Sequence, residues 1–129
     1  MKDLKGKVAI VTGSSSGVGA ATVKQLAALG CHSVINYNSN LNGAEAVAAE
    51  CQQAGTETLV MRANVSNDKD CRAMASAAIE KWGQIDILVN NAGTTKFVDH
   101  ADLEGLSSDD FQNIYGVNVI GAYQMTRAV

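Results

Sequence analysis

The hydrophobic period of the chain switches repeatedly, and each switch marks a new element. Lys7 to Thr12, "KVAIVT", is an unbroken apolar run closed by Gly13, the pattern of a strand buried on both faces. From Gly17 to Leu29 the spacing turns helical, with Val18, Ala21, Leu26 and Leu29 expected on one side and Gly30 as the stop. "HSVINY" reads as a second strand, and Ala44, Val47, Ala48 and Cys51 then recur at helical spacing until Gly55. "ETLVMRA" is a third strand. Cys71, Met74, Ala75, Ala78, Ile79 and Trp82 form the next helical stripe, stopped by Gly83, and "IDILVNN" is a fourth strand. A polar loop from Ala92 to Leu106 precedes a last long helix that starts near Ser107 or Ser108, either of which can cap it. Asp109 and Asp110 in its first turn suit the helix dipole.

Strand and helix alternate four times, with connections too long for hairpins. That implies an α/β fold, a Rossmann-type parallel sheet with helices on both faces. Right-handed crossovers then give the strand order 3-2-1-4. There is no proline and no low-complexity linker, so the expectation is a single domain over residues 1–129. No fifth strand follows the last helix. Strand four is therefore expected at a sheet edge, and the sequence is expected to be part of a longer chain truncated before that strand.

Composition narrows the partners. The 129 residues carry a net charge of -3, are 47% apolar and are 18% charged. An acidic balance argues against nucleic acid or an anionic membrane as the main partner. No apolar run approaches the ~20 residues of a membrane span, and the N-terminus lacks a signal-peptide core, so a cytoplasmic protein is expected. Cys31, Cys51 and Cys71 share no flanking pattern and form no CxxC. They read as buried free thiols, and His32 and His100 are isolated, so no metal site is expected.

The chemistry concentrates in "TGSSSGVG" between the first strand and the first helix. Backbone N–H groups and the positive end of a helix dipole meet there, which makes an anion site. Of the glycines, Gly13 suits the tight turn, Gly17 the approach of a diphosphate, and Gly19 the packing of helix on strand. Ser14, Ser15 and Ser16 offer hydroxyls. The spacing is G-x-x-x-G-x-G, which differs from the general dinucleotide fingerprint G-x-G-x-x-G. About twenty residues on, where an acid would accept from a ribose 2′-OH, the chain reads "NYNSN", Asn36 to Asn40, with no Asp or Glu. Neutral donors there leave room for a 2′-phosphate and favour NADP(H) over NAD(H), although no Arg or Lys in that stretch clamps it.

"TGSSSGVG", "NNAG" (Asn90 to Gly93) and "YGVNVIGAY" occur in that order along the chain. Together they resemble the N-terminal half of the short-chain dehydrogenase/reductase family, with "VINYNSN" most like its β-ketoacyl-carrier-protein reductase and sugar dehydrogenase branches. The resemblance implies that Thr12, Gly13, Ser15, Gly17, Val18 and Gly19 border a diphosphate, and that Asn64 and Val65 border adenine. It places Tyr37, Asn38 and Ser39 near the 2′ position, and Asn91, Ala92 and Gly93 beside the ribose and nicotinamide. The family usually has Asp at the position of Asn64, whose amide oxygen is expected still to accept from the adenine amino group. Asn90 would tie the strand end to its neighbours.

Asn118 sits within the stripe Phe111, Ile114, Tyr115, Val119, Ala122 and Met125 and is expected to be buried. The resemblance makes it the catalytic-helix asparagine that holds a water in a proton relay. It further implies a small carbonyl or alcohol substrate, a homo-oligomer (dimer or tetramer), and a Ser and Tyr-x-x-x-Lys set that these residues lack. Tyr123 and Arg127 have the i, i+4 spacing of such a pair but read as helix surface. Two functions remain open at this level: the cofactor half of an oxidoreductase, expected to be inactive alone, and a non-catalytic dinucleotide-binding module or sensor.

Overall fold

The computed structural model describes residues 3–129. Four parallel strands, β1 (Val8–Val11), β2 (His32–Tyr37), β3 (Thr58–Arg62) and β4 (Ile87–Val89), form one sheet in the order β3-β2-β1-β4. This is the expected Rossmann-type arrangement. Strand β1 pairs with β2 from Val8↔His32 to Val11↔Ile35, and with β4 from Ala9↔Ile87 to Val11↔Val89. All four residues of β1 are buried, as an apolar central strand covered on both faces must be.

The two faces take alternate residues of the strands. Ala9, Val11 and Ile35 pack against α1 (Gly17–Ala28) and α2 (Leu41–Gln53), through Ala20, Val23, Leu26, Ala44, Val47 and Cys51. Ile10 and Val34 face α3 (Asp68–Trp82) and the last helix, through Cys71, Met74, Ala78 and Met125. The period-two alternation of the strands thus meets the helical stripes of the sequence on opposite sides.

Helix ends follow side-chain chemistry. Asn40 caps α2 by accepting from Gly43 N–H, and Asn67 caps α3 by accepting from Lys69 and Asp70 N–H. Gly83 closes α3 in the left-handed conformation, φ 77°. Of the two candidate serines, Ser107 caps α4 (Ser108–Tyr115) in a reciprocal capping box with Asp110. The Ser107 backbone N–H and Lys96 both hold the Asp110 carboxyl below its ordinary range.

Helices α1 and α3 bury faces that differ from the sequence expectation. In α1 the buried side is Gly19, Ala20, Val23, Leu26 and Ala27, whereas Val18 is 75% exposed and Ala21 also faces out. The azimuth is set by Gly19: a Cβ there would lie 2.5 Å from the Gly13 carbonyl oxygen, so only a glycine lets α1 seat on its preceding loop. In α3, Ile79 leaves the stripe and is half exposed.

The last helix is not one regular helix. Helix α4 passes through a π turn, Gly116–Ile120, into α5 (Gly121–Ala128). Phe111, Tyr115 and Val119 stand exposed, while Gly121, Gln124 and Met125 face the core. The π turn adds one residue to a helical turn and breaks the phase that the sequence stripe assumed. Gly121 approaches Val65 so closely that a Cβ would sit 2.5 Å from its Cγ2, and Gln124 donates to the Val65 carbonyl at 2.8 Å. Arg127 ties α5 to α3 through Asp68 at 2.9 Å and donates to the Tyr123 hydroxyl at 3.2 Å. Tyr123 and Arg127 therefore form an exposed brace.

All three cysteines are free and buried. Burial pushes the Cys31 and Cys71 thiols up to about 11 and raises Cys51 as well. The native protein is therefore expected to react slowly with a thiol reagent at pH 8 and to yield three reactive thiols once unfolded in urea. Rapid titration of any thiol under native conditions would contradict this packing.

Candidate functional site

A cleft of about 460 Å³ opens at the C-terminal ends of β1, β2 and β4. Its lining includes Gly13, Ser15, Ser16, Asn36 to Asn40, Ala63 to Val65, Asn91 to Thr94, Asn113 and Val117. In an open parallel sheet this is the switch point, where successive connections run to opposite sides of the first strand. None of these lining residues is charged.

The strands part at this end, and polar side chains replace the ladder. Thr12, 1% exposed, accepts through Oγ1 from the Asn91 and Ala92 N–H groups at 3.0 Å each. Asn91 returns its amide to the carbonyls of Thr12 and Gly13, at 3.0 and 3.1 Å. On the other side of β1, Asn36 accepts from Gly13 N–H at 2.9 Å and donates to the Met61 and Ala63 carbonyls at 3.3 and 3.1 Å. Ser14 completes this brace, its hydroxyl accepting from Asn36 N–H and donating to the Val11 carbonyl. A threonine, a serine and two asparagines thus satisfy backbone groups that the diverging strands leave unpaired.

The glycines take three different parts. Gly13 has φ +63°, and a Cβ there would meet Ala92 Cα at 2.9 Å. Gly17 has φ +57° and faces open space, while Gly19 is packed against Gly13 and Asn91. Ser16 stands at the N-cap of α1 and makes no side-chain cap bond. Ser14 is fully buried, so of the three serines expected near phosphate only Ser15 and Ser16 line the cleft. Val18 points into solvent, and Gly17, Val18 and Gly19 adjoin the cleft without lining it.

Residues 7–129 match the sequence model of the family described as short chain dehydrogenase. The chain belongs to the short-chain dehydrogenase family. It is 40% identical over 128 residues to an uncharacterised oxidoreductase of Methylorubrum extorquens, covering 99% of this chain and 50% of that protein. It is 37% identical over 129 residues to a 3-oxoacyl-[acyl-carrier-protein] reductase of Synechocystis, covering 100% and 51%. A short chain dehydrogenase from Burkholderia cenocepacia, solved in complex with NADP, superposes with a TM-score of 0.91 at 35% identity, covering 98% of this chain and 51% of that one. The chain spans about half the length of the curated relatives it matches.

Against this short-chain dehydrogenase frame, two site residues sit differently from expectation. Asn118, in the π turn, is exposed and not buried. Its Oδ1 accepts from Thr94 N–H at 2.8 Å and its Nδ2 donates to the Thr94 carbonyl at 3.0 Å, tethering the segment after β4. The Thr94 N–H can only donate, which fixes the amide orientation. Asn64 lines the cleft, but its Oδ1 already accepts from the N–H and hydroxyl of Ser66, at 3.0 and 2.7 Å. Its amide oxygen is therefore engaged locally, and the N–H groups of the amide are its free polar atoms.

Sequence reasoning missed Asn36 as a brace and Gly43 as a close contact. A Cβ on Gly43 would lie 2.6 Å from the Ser15 carbonyl oxygen, so glycine lets the start of α2 touch the loop between β1 and α1. Asn90 donates to the Thr126 hydroxyl at 3.2 Å, linking the end of β4 to α5. Among the described residues no group of three or more His, Cys, Asp or Glu is arranged as a metal site.

Thr12→Val is expected to cost about 1–3 kcal/mol, because it leaves two half-buried N–H groups without an acceptor, whereas Thr12→Ser keeps the oxygen. Urea denaturation of both variants checks this, and equal losses would show that the hydroxyl bonds are not the cause.

Proposed function

We propose that residues 1–129 form the dinucleotide-binding unit of an oxidoreductase that interconverts a carbonyl and a secondary alcohol, with NADP(H) favoured over NAD(H). The observation that carries this reading is the uncharged polar cleft at the switch point, with a helix-starting glycine loop on one wall and Asn91 to Thr94 on the other. The donor set fits such a cofactor. Ser15, Ser16 and the open Gly17 suit a diphosphate, which neutral N–H and O–H donors hold well. Ala63, Asn64 and Val65 would flank the adenine, and Tyr37, Asn38 and Ser39 would meet the ribose 2′ substituent; all six line the cleft. Asn91, Ala92 and Gly93 would border the nicotinamide side. The nicotinamide, when bound, supplies the hydride for carbonyl reduction or takes it up in alcohol oxidation.

The chain's own residues orient and support. Thr12 and Asn91 hold the two cleft walls at fixed separation, and Asn118 holds Thr94. After its two bonds to Thr94, the Asn118 amide keeps one N–H and one oxygen lone pair, enough to hold a water for proton transfer. Phe97 and Leu103, 94% and 89% exposed on the loop after β4, are apolar groups available to a small carbonyl or alcohol substrate.

A homo-oligomer, dimer or tetramer, fits the exposed Phe111, Tyr115 and Val119 on α4 and the π turn. The free thiols suit a reducing cytoplasmic setting. No helix of the described residues is long and apolar enough to cross a membrane, and the charge of -3 offers nothing to nucleic acid.

Fluorescence titration with NADPH and NADH is the direct test. NADPH is expected to bind severalfold more tightly; a clear preference for NADH would overturn the cofactor assignment, and failure to bind either would overturn the whole reading.

A further inference from the structure

The cleft lining poses an electrostatic question. A ribose 2′-phosphate is a monoester that carries close to two negative charges at neutral pH. The loop that would meet it, Tyr37 to Asn40, contains no cation, and neither does any other lining residue. Neutral hydroxyl and amide donors can hydrogen-bond such a group but leave its charge uncompensated in a recess partly shielded from water.

Strand β3 brings a cation to that place. In the β2–β3 ladder Arg62 lies opposite Tyr37, the last pair of the register. Its side chain turns toward the β2–α2 connection, and Nε donates to the Asn38 carbonyl at 3.1 Å. That bond uses one of the five N–H groups of the guanidinium and leaves the Nη nitrogens free to bind an anion. Arg62 is exposed. The other two arginines are occupied, Arg72 with Asp68 and Arg127 with Asp68, and Lys24, Lys81 and Lys96 each have a carboxylate partner. Arg62 has none among the described residues.

We propose that Arg62 is the specificity-determining residue for the 2′-phosphate. The cation comes from the neighbouring strand, and the Asn38 carbonyl holds its side chain beside the loop that carries Asn38 and Ser39. A planar fork anchored at Nε presents its two outer nitrogens together, the arrangement that grips two phosphate oxygens at once. The inference rests on the dinucleotide reading above and adds to it the residue that separates NADP(H) from NAD(H).

The test uses adenosine 2′-monophosphate and adenosine 5′-monophosphate by calorimetry, with NADPH and NADH by fluorescence. Wild type, Arg62→Gln and Arg62→Lys are compared. Arg62→Gln is expected to weaken adenosine 2′-monophosphate and NADPH by roughly tenfold to a hundredfold, the loss of a charge-assisted contact. Adenosine 5′-monophosphate and NADH should bind as before, which also shows that the variant is folded. Arg62→Lys should fall between, since it keeps the charge and loses the fork. Wild-type affinity of Arg62→Gln for NADPH and adenosine 2′-monophosphate would overturn the role of Arg62 while leaving the NADPH preference standing. Equal loss of all four ligands would overturn it too, by making Arg62 a structural support of the loop. A wild-type protein that binds NADH better, or neither dinucleotide, would remove the underlying reading along with it.

Discussion

Where β1 ends, its two neighbours part, and the backbone groups exposed by that parting must find new partners. The rest of the site depends on how this is met. Thr12 and Asn91 close the seam toward β4, while Ser14 and Asn36 close the seam toward β2 and β3. Each bond joins residues from distant parts of the chain, so the cleft walls are set by the sheet and not by the loops alone. Water could satisfy the same groups, but it would not fix their spacing.

Once that frame is rigid, the glycines have little freedom in where they stand. Gly13 is held between Asn36 and Ala92, Gly19 is pressed against the loop it follows, and Gly17 is left open between them. The open position is the one a charged ligand can approach. The packed ones are structural, although all three belong to one sequence motif. Polar residues that look interchangeable as a run of serines are likewise divided, Ser14 inward and Ser15 and Ser16 toward the cleft.

Strand order, the α2 stripe of Ala44, Val47, Ala48 and Cys51, and the capping of α4 were legible in the sequence, because each rests on local periodicity or on a short-range bond. The azimuth of α1 was not, since a helix of small residues carries a weak stripe and its facing is decided by contact of Gly19 with the preceding loop. The lining of the cleft by the glycine loop and "NYNSN" was legible from motif and topology together, and that by Asn91 to Gly93 from the family resemblance. The parts of Asn36, Gly43 and Arg62 were not. Their partners lie more than twenty residues away, and no spacing rule along one chain registers a contact between segments that distant.

The π turn at Gly116–Ile120 has one more consequence. One residue of helix is worth about 100° of rotation about its axis. By taking in an extra residue, the turn lets a single rod show Phe111 and Tyr115 outward and Met125 inward, although sequence spacing alone would put them on one side. It works as a gear offset between two halves of a shaft. The upstream half can vary the surface it presents without disturbing the teeth downstream that mesh with the sheet, and Asn118, at the offset itself, stays locked to Thr94 whichever way the outer face evolves.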